Sequence, residues 1–128
     1  MGSALSFAAV ALGASLGAWL RWGLSLWLNA RIENLPLGTL LANIAGGFMI
    51  GVAVGIFENF PELPSEWRLV VITGFLGGLT TFSTFSAESV ILLQRGAYGW
   101  AFLHTGVHLM GSIAACIAGL ALWRQVYP

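Results

Sequence analysis

Four long apolar stretches, separated by short polar connectors, make up almost the whole chain. They cover residues 4–28, 37–57, 69–93 and 98–123. A helix needs about 20 apolar residues to cross a hydrocarbon layer of about 30 Å, because each residue adds about 1.5 Å. Each stretch is long enough. The pattern therefore predicts an all-α integral membrane protein, a single domain over residues 1–128 with four transmembrane helices.

Tryptophans mark the ends of these predicted spans. Trp27, Trp67, Trp100 and Trp123 lie close to the ends of their stretches. An indole at such a position keeps its ring in the acyl boundary and its N–H among the headgroups. The boundaries are therefore predicted to within a few residues.

Composition agrees with a membrane protein and excludes other classes. Of 128 residues, 58% are hydrophobic and 8% are charged, whereas a soluble domain carries roughly 25% charged residues. The charges are arginines and glutamates, with no lysine or aspartate, so no charged run is available to bind nucleic acid. The sequence has no Ser-His-Asp set and no phosphate-binding glycine loop with a lysine. We therefore expect neither an enzyme nor a nucleotide-binding protein.

The distribution of arginines does not favour one orientation of the chain in the membrane. One membrane face collects Arg68 and Arg124, and the other collects Arg31 and Arg95. An excess of Arg and Lys normally marks the cytoplasmic face. A balanced distribution predicts dual topology, in which copies insert both ways and pair antiparallel. A single, weakly biased topology is the alternative.

Small residues repeat every four positions in each span and predict close helix packing. Packing within one bundle would use some of these faces, but four of them favour an additional partner surface. The series are Gly13/Gly17, Gly47/Gly51/Gly55, Gly74/Gly78 and Gly111/Ala115/Gly119.

The third span contains a cluster of glycines followed by hydroxyl residues, which predicts a broken helix near mid-membrane. Broken backbone is tolerated there only where it is buried in protein or lines a wet cavity. Freed carbonyls can coordinate a cation, while helix N-termini favour an anion. Alternatively, the hydroxyls bond back to the preceding turn, which would account for two or three of them. The hydroxyl residues are Thr80, Thr81, Ser83, Thr84 and Ser86.

Five further residues within the spans carry an amide, a charge or an imidazole. Asn43 could bridge helices or offer a donor to an anion. Arg21 either reaches the interface or draws anions into a water-filled vestibule. Glu88 could pair with an arginine or join a proton relay, and we expect no proton coupling. His104 and His108 have a two-ligand metal spacing, but no carboxylate or thiol completes a site on the same helix, so interhelical hydrogen bonds are expected instead.

Phe82 and Phe85 lie three residues apart among the hydroxyls, so a helix would place both rings on one face. The two rings either face lipid or present their edges to an anion. The second is possible because the edge is the positive end of the aromatic quadrupole. Ser112 and Cys116 continue a sparse polar stripe along the fourth span. A conduit with few charges, neutral donors and aromatic edges suits a small anion.

Three of these segments resemble the Fluc (CrcB) family of bacterial fluoride channels. They are GFLGGLTTFSTF at residues 74–85, PLGTLLANIAGG at residues 36–47, and residues 13–21 with Trp22. The resemblance implies a dual-topology, antiparallel homodimer in the bacterial cytoplasmic membrane. It would have two fluoride pores and a central, structural sodium ion, and it would export toxic fluoride passively.

The resemblance also implies roles for individual residues. Phe82 and Phe85 match the aromatic pair that contacts fluoride. Asn43 matches the coordinating amide, Ser112 a hydroxyl of the pore lining, and Thr39 is a further pore-side hydroxyl. Arg21 matches the basic vestibule residue, and the backbone carbonyls of Gly77 and Thr80 match the sodium ligands. Cys116 stands where another hydroxyl would be expected.

Two other functions compete with a fluoride channel. A small four-helix, proton-coupled multidrug exporter has a similar size, but it needs an acid in its first helix, where this chain has Arg21. A noncatalytic assembly subunit would account for the glycine faces and leave the hydroxyl cluster unexplained.

Overall fold

The structure, a computed structural model, describes residues 2–128, and these residues form helices and short connectors without a strand. Four helical spans are long and apolar enough to cross a membrane, which confirms the predicted fold class. The helices are α1 (Ala4–Leu28), α2 (Leu37–Asn59), α3 (Ser65–Arg68), α4 (Gly77–Leu79), α5 (Phe82–Gln94) and α6 (Tyr98–Val126). The π-helical segment Leu69–Leu76 joins α3 to α4, so the third span runs over Ser65–Gln94.

The observed spans agree with the predicted ones at α1 and extend beyond them elsewhere. The third span begins four residues early because the chain turns into α3 directly after Pro64, a residue that suits the start of a helix. Arg68 ties this turn to the end of α2. Its guanidinium lies 5.2 Å from the centre of the Phe57 ring and donates to the Phe57 carbonyl at 3.2 Å.

The third span is broken near its middle, as predicted. Thr80 and Thr81 both have extended backbone, with φ/ψ of −85°/153° and −148°/117°. A new helix, α5, then begins at Phe82. Its first turn is capped by Thr81, whose side-chain oxygen accepts from the Thr84 N–H at 3.0 Å, a standard role for a threonine before a helix.

The glycine faces pack against other helices of the same subunit, so they do not by themselves require a partner subunit. A Cβ at Gly17 would meet the Phe75 carbonyl oxygen, and a Cβ at Gly51 would meet the Cys116 carbonyl oxygen. These contacts bring α1 against the π-helical segment and α2 against α6. Helices inside one bundle therefore fill these faces, so the small-residue series do not by themselves argue for an additional partner surface, which stays a prediction.

The buried core is small, as expected for a chain whose outer face meets lipid. It joins α2 to the segment before the break, and large apolar side chains such as those of Phe7 and Phe102 point outward. The core residues are Ala42, Ala53, Phe57, Leu76 and Leu79.

Candidate ion pathway at the broken third span

The side chain of Asn43, on α2, bonds to both backbone polar groups of Thr81 at the break. Its Oδ1 accepts from the Thr81 N–H at 2.7 Å, and its Nδ2 donates to the Thr81 carbonyl at 3.1 Å. The second N–H of the same amide donates to His108 Nδ1 at 3.0 Å. Asn43 therefore joins three helices, and both of its N–H groups are engaged.

At the break, two backbone N–H groups no longer bond to the carbonyls that they would reach in a regular helix. In an unbroken helix the Thr81 N–H would bond to the Gly77 carbonyl, and the Thr84 N–H would bond to the Thr80 carbonyl. Here these donors bond to the side chains of Asn43 and Thr81 instead. The carbonyl oxygens of Gly77 and Thr80 thereby lose their regular helical partners.

Arg21, on α1, binds the same break rather than only reaching towards the interface. Its Nε donates to the Gly78 carbonyl at 3.1 Å. Gly78 lies at the C-terminal end of α4, where unpaired carbonyls carry partial negative charge. A cation at this position stabilises the helix end. Whether Arg21 also draws anions into a vestibule stays a prediction.

Two of the five hydroxyls bond back to the preceding turn. Thr80 Oγ1 donates to the Leu76 carbonyl at 2.8 Å, and Ser86 Oγ donates to the Phe82 carbonyl at 2.8 Å. Thr81 caps α5, and its hydroxyl lies 3.3 Å from that of Ser83. Back-bonding therefore explains part of the cluster, and the capping of a new helix explains another part.

A cavity of about 620 Å³ lies beside the break and brings most of the predicted site residues together. Its lining combines amide, hydroxyl and imidazole groups with apolar side chains, and includes no glutamate or arginine among the residues described. The predicted site residues in the lining are Asn43, Gly77, Thr80, Phe82, Phe85 and Ser112.

Phe82 and Phe85 stand on the same side of α5, as their spacing predicted. Their ring centres are 5.4 Å apart and the rings are tilted by 59°. Phe85 stacks on His104, with ring centres 5.2 Å apart and planes within 9°. Phe82 is 78% exposed on the surface of the subunit. One ring is thus held by packing, while the other projects away from the subunit at membrane depth.

Thr39 and Glu88 belong to a second polar cluster rather than to the cavity lining. The buried Thr39 hydroxyl donates to Glu88 Oε2 at 2.8 Å. Glu88 Oε1 lies 2.9 Å from His104 Nε2, and His104 Nδ1 lies 3.0 Å from the Ser89 hydroxyl. The partner of Glu88 is therefore a histidine of α6, and the expected interhelical hydrogen bonds of the histidines are confirmed.

His108 connects the two clusters. It is 4% exposed and lines the cavity, and its Nδ1 accepts from Asn43. Its Nε2 is buried without a hydrogen-bond partner among the residues described. A buried unpaired polar atom costs about 1–3 kcal/mol. Because Nδ1 accepts, Nε2 carries the ring proton and is an unpaired donor.

Sequence reasoning missed three contributors to these clusters. Ser89 supports His104, Thr105 lines the cavity, and Asn29 caps α2 by accepting from the Gly38 N–H at 2.8 Å. Thr105 had a weak signal, because it follows His104 on the polar stripe of α6.

Cys116 lies outside the cavity lining, and its carbonyl oxygen faces Gly51.

The family model described as "CrcB-like protein, Camphor Resistance (CrcB)" matches residues 8–120, a range that includes both polar clusters. The chain belongs to the CrcB-like family. The predicted resemblance is thereby confirmed for most of the chain.

Curated bacterial relatives of this family carry one printed name, "Fluoride-specific ion channel FluC". The protein from Cupriavidus pinatubonensis is 60% identical over 119 residues, which is 93% of each chain. The protein from Nitrosomonas europaea is 56% identical over 113 residues, covering 88% of this chain and 89% of that one. The protein from Pseudomonas putida is 55% identical over 116 residues, or 91% of each chain.

Replacing Asn43 by leucine is expected to destabilise the subunit by about 1–3 kcal/mol, because it leaves the Thr81 N–H unpaired inside the membrane. The midpoint of thermal unfolding in detergent measures the loss. Asn59→Leu is the matched control. Asn59 lies at the end of α2, and its side chain accepts from Trp123 Nε1 in an exposed hydrogen bond. An equal or larger loss in the control would contradict the role assigned to Asn43.

Proposed function

We propose that this protein is a fluoride-selective ion channel that exports toxic fluoride passively and electrogenically across the bacterial cytoplasmic membrane. The observation that carries the proposal is the cavity at the break, which brings neutral amide and hydroxyl groups and two aromatic rings together at membrane depth, without an acid among the described residues of its lining. Relatives named as fluoride-specific ion channels support fluoride as the transported ion. The multidrug-exporter alternative lacks support, because α1 carries Arg21 and no acid.

The ends of the helices at the break support an anion in the cavity. α5 begins at Phe82, and the lining includes both Thr81 and Phe82. A helix N-terminus carries partial positive charge and unpaired N–H groups, which favour an anion. Because the attraction comes from dipoles rather than full charges, a bound ion is also released readily.

The cavity lining suggests how a fluoride ion would be dehydrated in steps. Ser112 supplies a hydroxyl, and Phe82 and Phe85 supply positively polarised ring edges. Asn43 would release the N–H that it directs at His108 and donate it to fluoride, while its other contacts keep holding Thr81. Thr39 would act from the second cluster by orienting Glu88, and Arg21 by attracting anions towards the break.

Passive export suits the chemistry of fluoride. Hydrogen fluoride crosses a membrane as a neutral acid from an acidic exterior and dissociates inside. The anion then leaves down the electrical gradient, so the channel needs no energy source and performs no covalent chemistry. This role is that of a conduit rather than of an enzyme.

Fluoride efflux from potassium-loaded liposomes tests the proposal. After valinomycin is added, a fluoride electrode should record rapid efflux from vesicles that contain the protein, and chloride should stay inside. Phe82→Ile should slow this efflux about tenfold or more, the effect of losing about 1.4 kcal/mol of contact with the ion.

Phe102→Ile is the matched control for the channel test, because Phe102 is 85% exposed on α6 and lies outside the cavity lining. It should leave efflux unchanged. An absence of efflux from folded protein, or equal slowing in both variants, would reject the channel or the role of Phe82 respectively.

We infer further that the channel is an antiparallel, dual-topology homodimer. The even distribution of Arg31 and Arg95 against Arg68 and Arg124 supports insertion both ways. The exposure of Phe82 beside a polar cavity supports a second subunit that closes the pathway, because an aqueous path cannot be left open to lipid.

Dual topology predicts that about half of the molecules present their C-terminus on each side of the membrane. A Gln125→Cys variant in a Cys116→Ser background measures this without changing any charge that directs insertion. In sealed cells, a membrane-impermeant maleimide should label about half of the protein, and permeabilised cells should label all of it. Complete labelling, or none, in sealed cells would favour a single topology.

A structural sodium ion at the centre of the dimer completes the proposal. The carbonyl oxygens of Gly77 and Thr80 are hard ligands without their regular helical donors, and Gly77 is exposed on the subunit surface. Two symmetric copies would supply four oxygens to one ion. The same residues therefore fit a sodium site, and binding would stabilise the dimer.

Removing sodium should lower the thermal stability of the dimer, because an ion that binds only the assembled form stabilises it by mass action. Unfolding midpoints are compared in sodium chloride, potassium chloride and N-methyl-D-glucamine chloride at equal ionic strength. The midpoint should be highest in sodium. Identical midpoints in the three salts would reject the sodium site while leaving the channel proposal intact.

A further inference from the structure

Glu88, His104 and His108 form a compact group of metal-ligand side chains beside the cavity. A carboxylate oxygen of Glu88 and one ring nitrogen of each histidine all lie within 4.8 Å of one another. The histidines are one helical turn apart on α6, with ring centres 4.5 Å apart, and Glu88 comes from α5. The carboxylate that is missing from the histidines' own helix is thus supplied by its neighbour.

The chemistry of these three groups is that of a zinc-class site. Two imidazoles and one carboxylate bind Zn²⁺ and related divalent transition-metal ions, and three protein ligands leave one position for water or an anion. Bonds of about 2.1 Å in tetrahedral geometry separate ligands by roughly 3.4 Å, so the groups need to close by little more than about 1 Å.

Neighbouring side chains already orient two of the three ligands. The Thr39 hydroxyl donates to Glu88 Oε2 at 2.8 Å. The Ser89 hydroxyl lies 3.0 Å from His104 Nδ1, so it can accept a hydrogen bond from the Nδ1–H when Nε2 binds a metal ion. Such outer contacts fix the tautomer and the ring orientation of metal-binding histidines.

His108 provides the second observation that points to a ligand. Its Nε2 is buried and has no hydrogen-bond partner among residues 2–128, and the residue, only 4% exposed, lines the cavity. Coordination through Nε2 requires the other tautomer of the neutral imidazole, with its one proton on Nδ1 instead of Nε2. Because Asn43 now donates to Nδ1, metal binding must break that contact.

We propose that Glu88, His104 and His108 bind a divalent transition-metal ion such as Zn²⁺, and that the bound ion blocks the adjacent pathway. Entry is from the cavity, on the side of His108. The block has one physical cause: a cation occupies the wall of the pathway, and its open coordination position holds the passing anion. Only the block depends on the proposed channel function, since binding is measured without ion flux.

Isothermal titration calorimetry tests binding on purified dimer from which any polyhistidine tag has been removed. Zinc chloride should bind at one ion per subunit. His104→Gln and His108→Gln should each weaken the affinity by at least about 100-fold, since losses of outer contacts alone cost about 10- to 100-fold. Size-exclusion chromatography checks that both variants remain folded dimers, and Glu88→Gln, which keeps hydrogen-bonding atoms, provides a third variant.

Cys116→Ser is the matched control, because Cys116 carries the one thiol in the chain. It should leave zinc binding unchanged. The X-ray absorption spectrum of the zinc-loaded protein should show imidazole and oxygen ligands without sulfur. No zinc binding by folded protein, unchanged binding in the histidine variants, or a sulfur ligand would each overturn the site.

The liposome assay tests the block separately. Zinc should slow fluoride efflux from the unmodified protein, a chelator should restore it, and zinc should leave the efflux that remains in His108→Gln unaffected. Efflux that continues at full rate with zinc bound would overturn the block. Absence of efflux in all samples would count against the channel and not against the metal site, which calorimetry decides.

Discussion

The structure depends on one constraint: a backbone polar group inside the bilayer must find a partner within the protein. The extended backbone at Thr80 and Thr81 violates the regular helical pattern at mid-membrane. Asn43 makes this possible by bonding to both polar groups of Thr81, and Arg21 does the same for the Gly78 carbonyl. The arrangement of α1 and α2 around the third span therefore follows from the need to complete its hydrogen bonds.

The same constraint leaves opposite partial charges on the two sides of the break. The C-terminal end of α4 presents carbonyl oxygens, and the N-terminal end of α5 presents N–H groups. Arg21 meets the first, and the neutral cavity lined by Phe82 and Phe85 adjoins the second. A single interruption of one helix can therefore favour a cation and an anion a few residues apart, without any acid in the cavity lining.

His108 makes the polar groups of the bundle one connected system. Through Asn43 it contacts the break, and through its neighbour His104 it adjoins the pair formed by Glu88 and Thr39. The two clusters therefore meet at the contact between the two histidine rings. Phe85, packed against both histidine rings, lies between the clusters and restricts how far either ring can turn.

The sequence by itself determined which segments leave water and where one of them breaks, because apolar length and local glycine and hydroxyl content are properties of the segments themselves. It also identified Asn43, Phe82 and Phe85 as residues to explain. Only the tertiary structure decided that Asn43 bonds to Thr81 and His108, that Glu88 meets His104, and that the glycine faces pack within one subunit. Lipid is as apolar as the helices, so hydropathy does not select neighbours; close packing and hydrogen bonds between residues distant in sequence do.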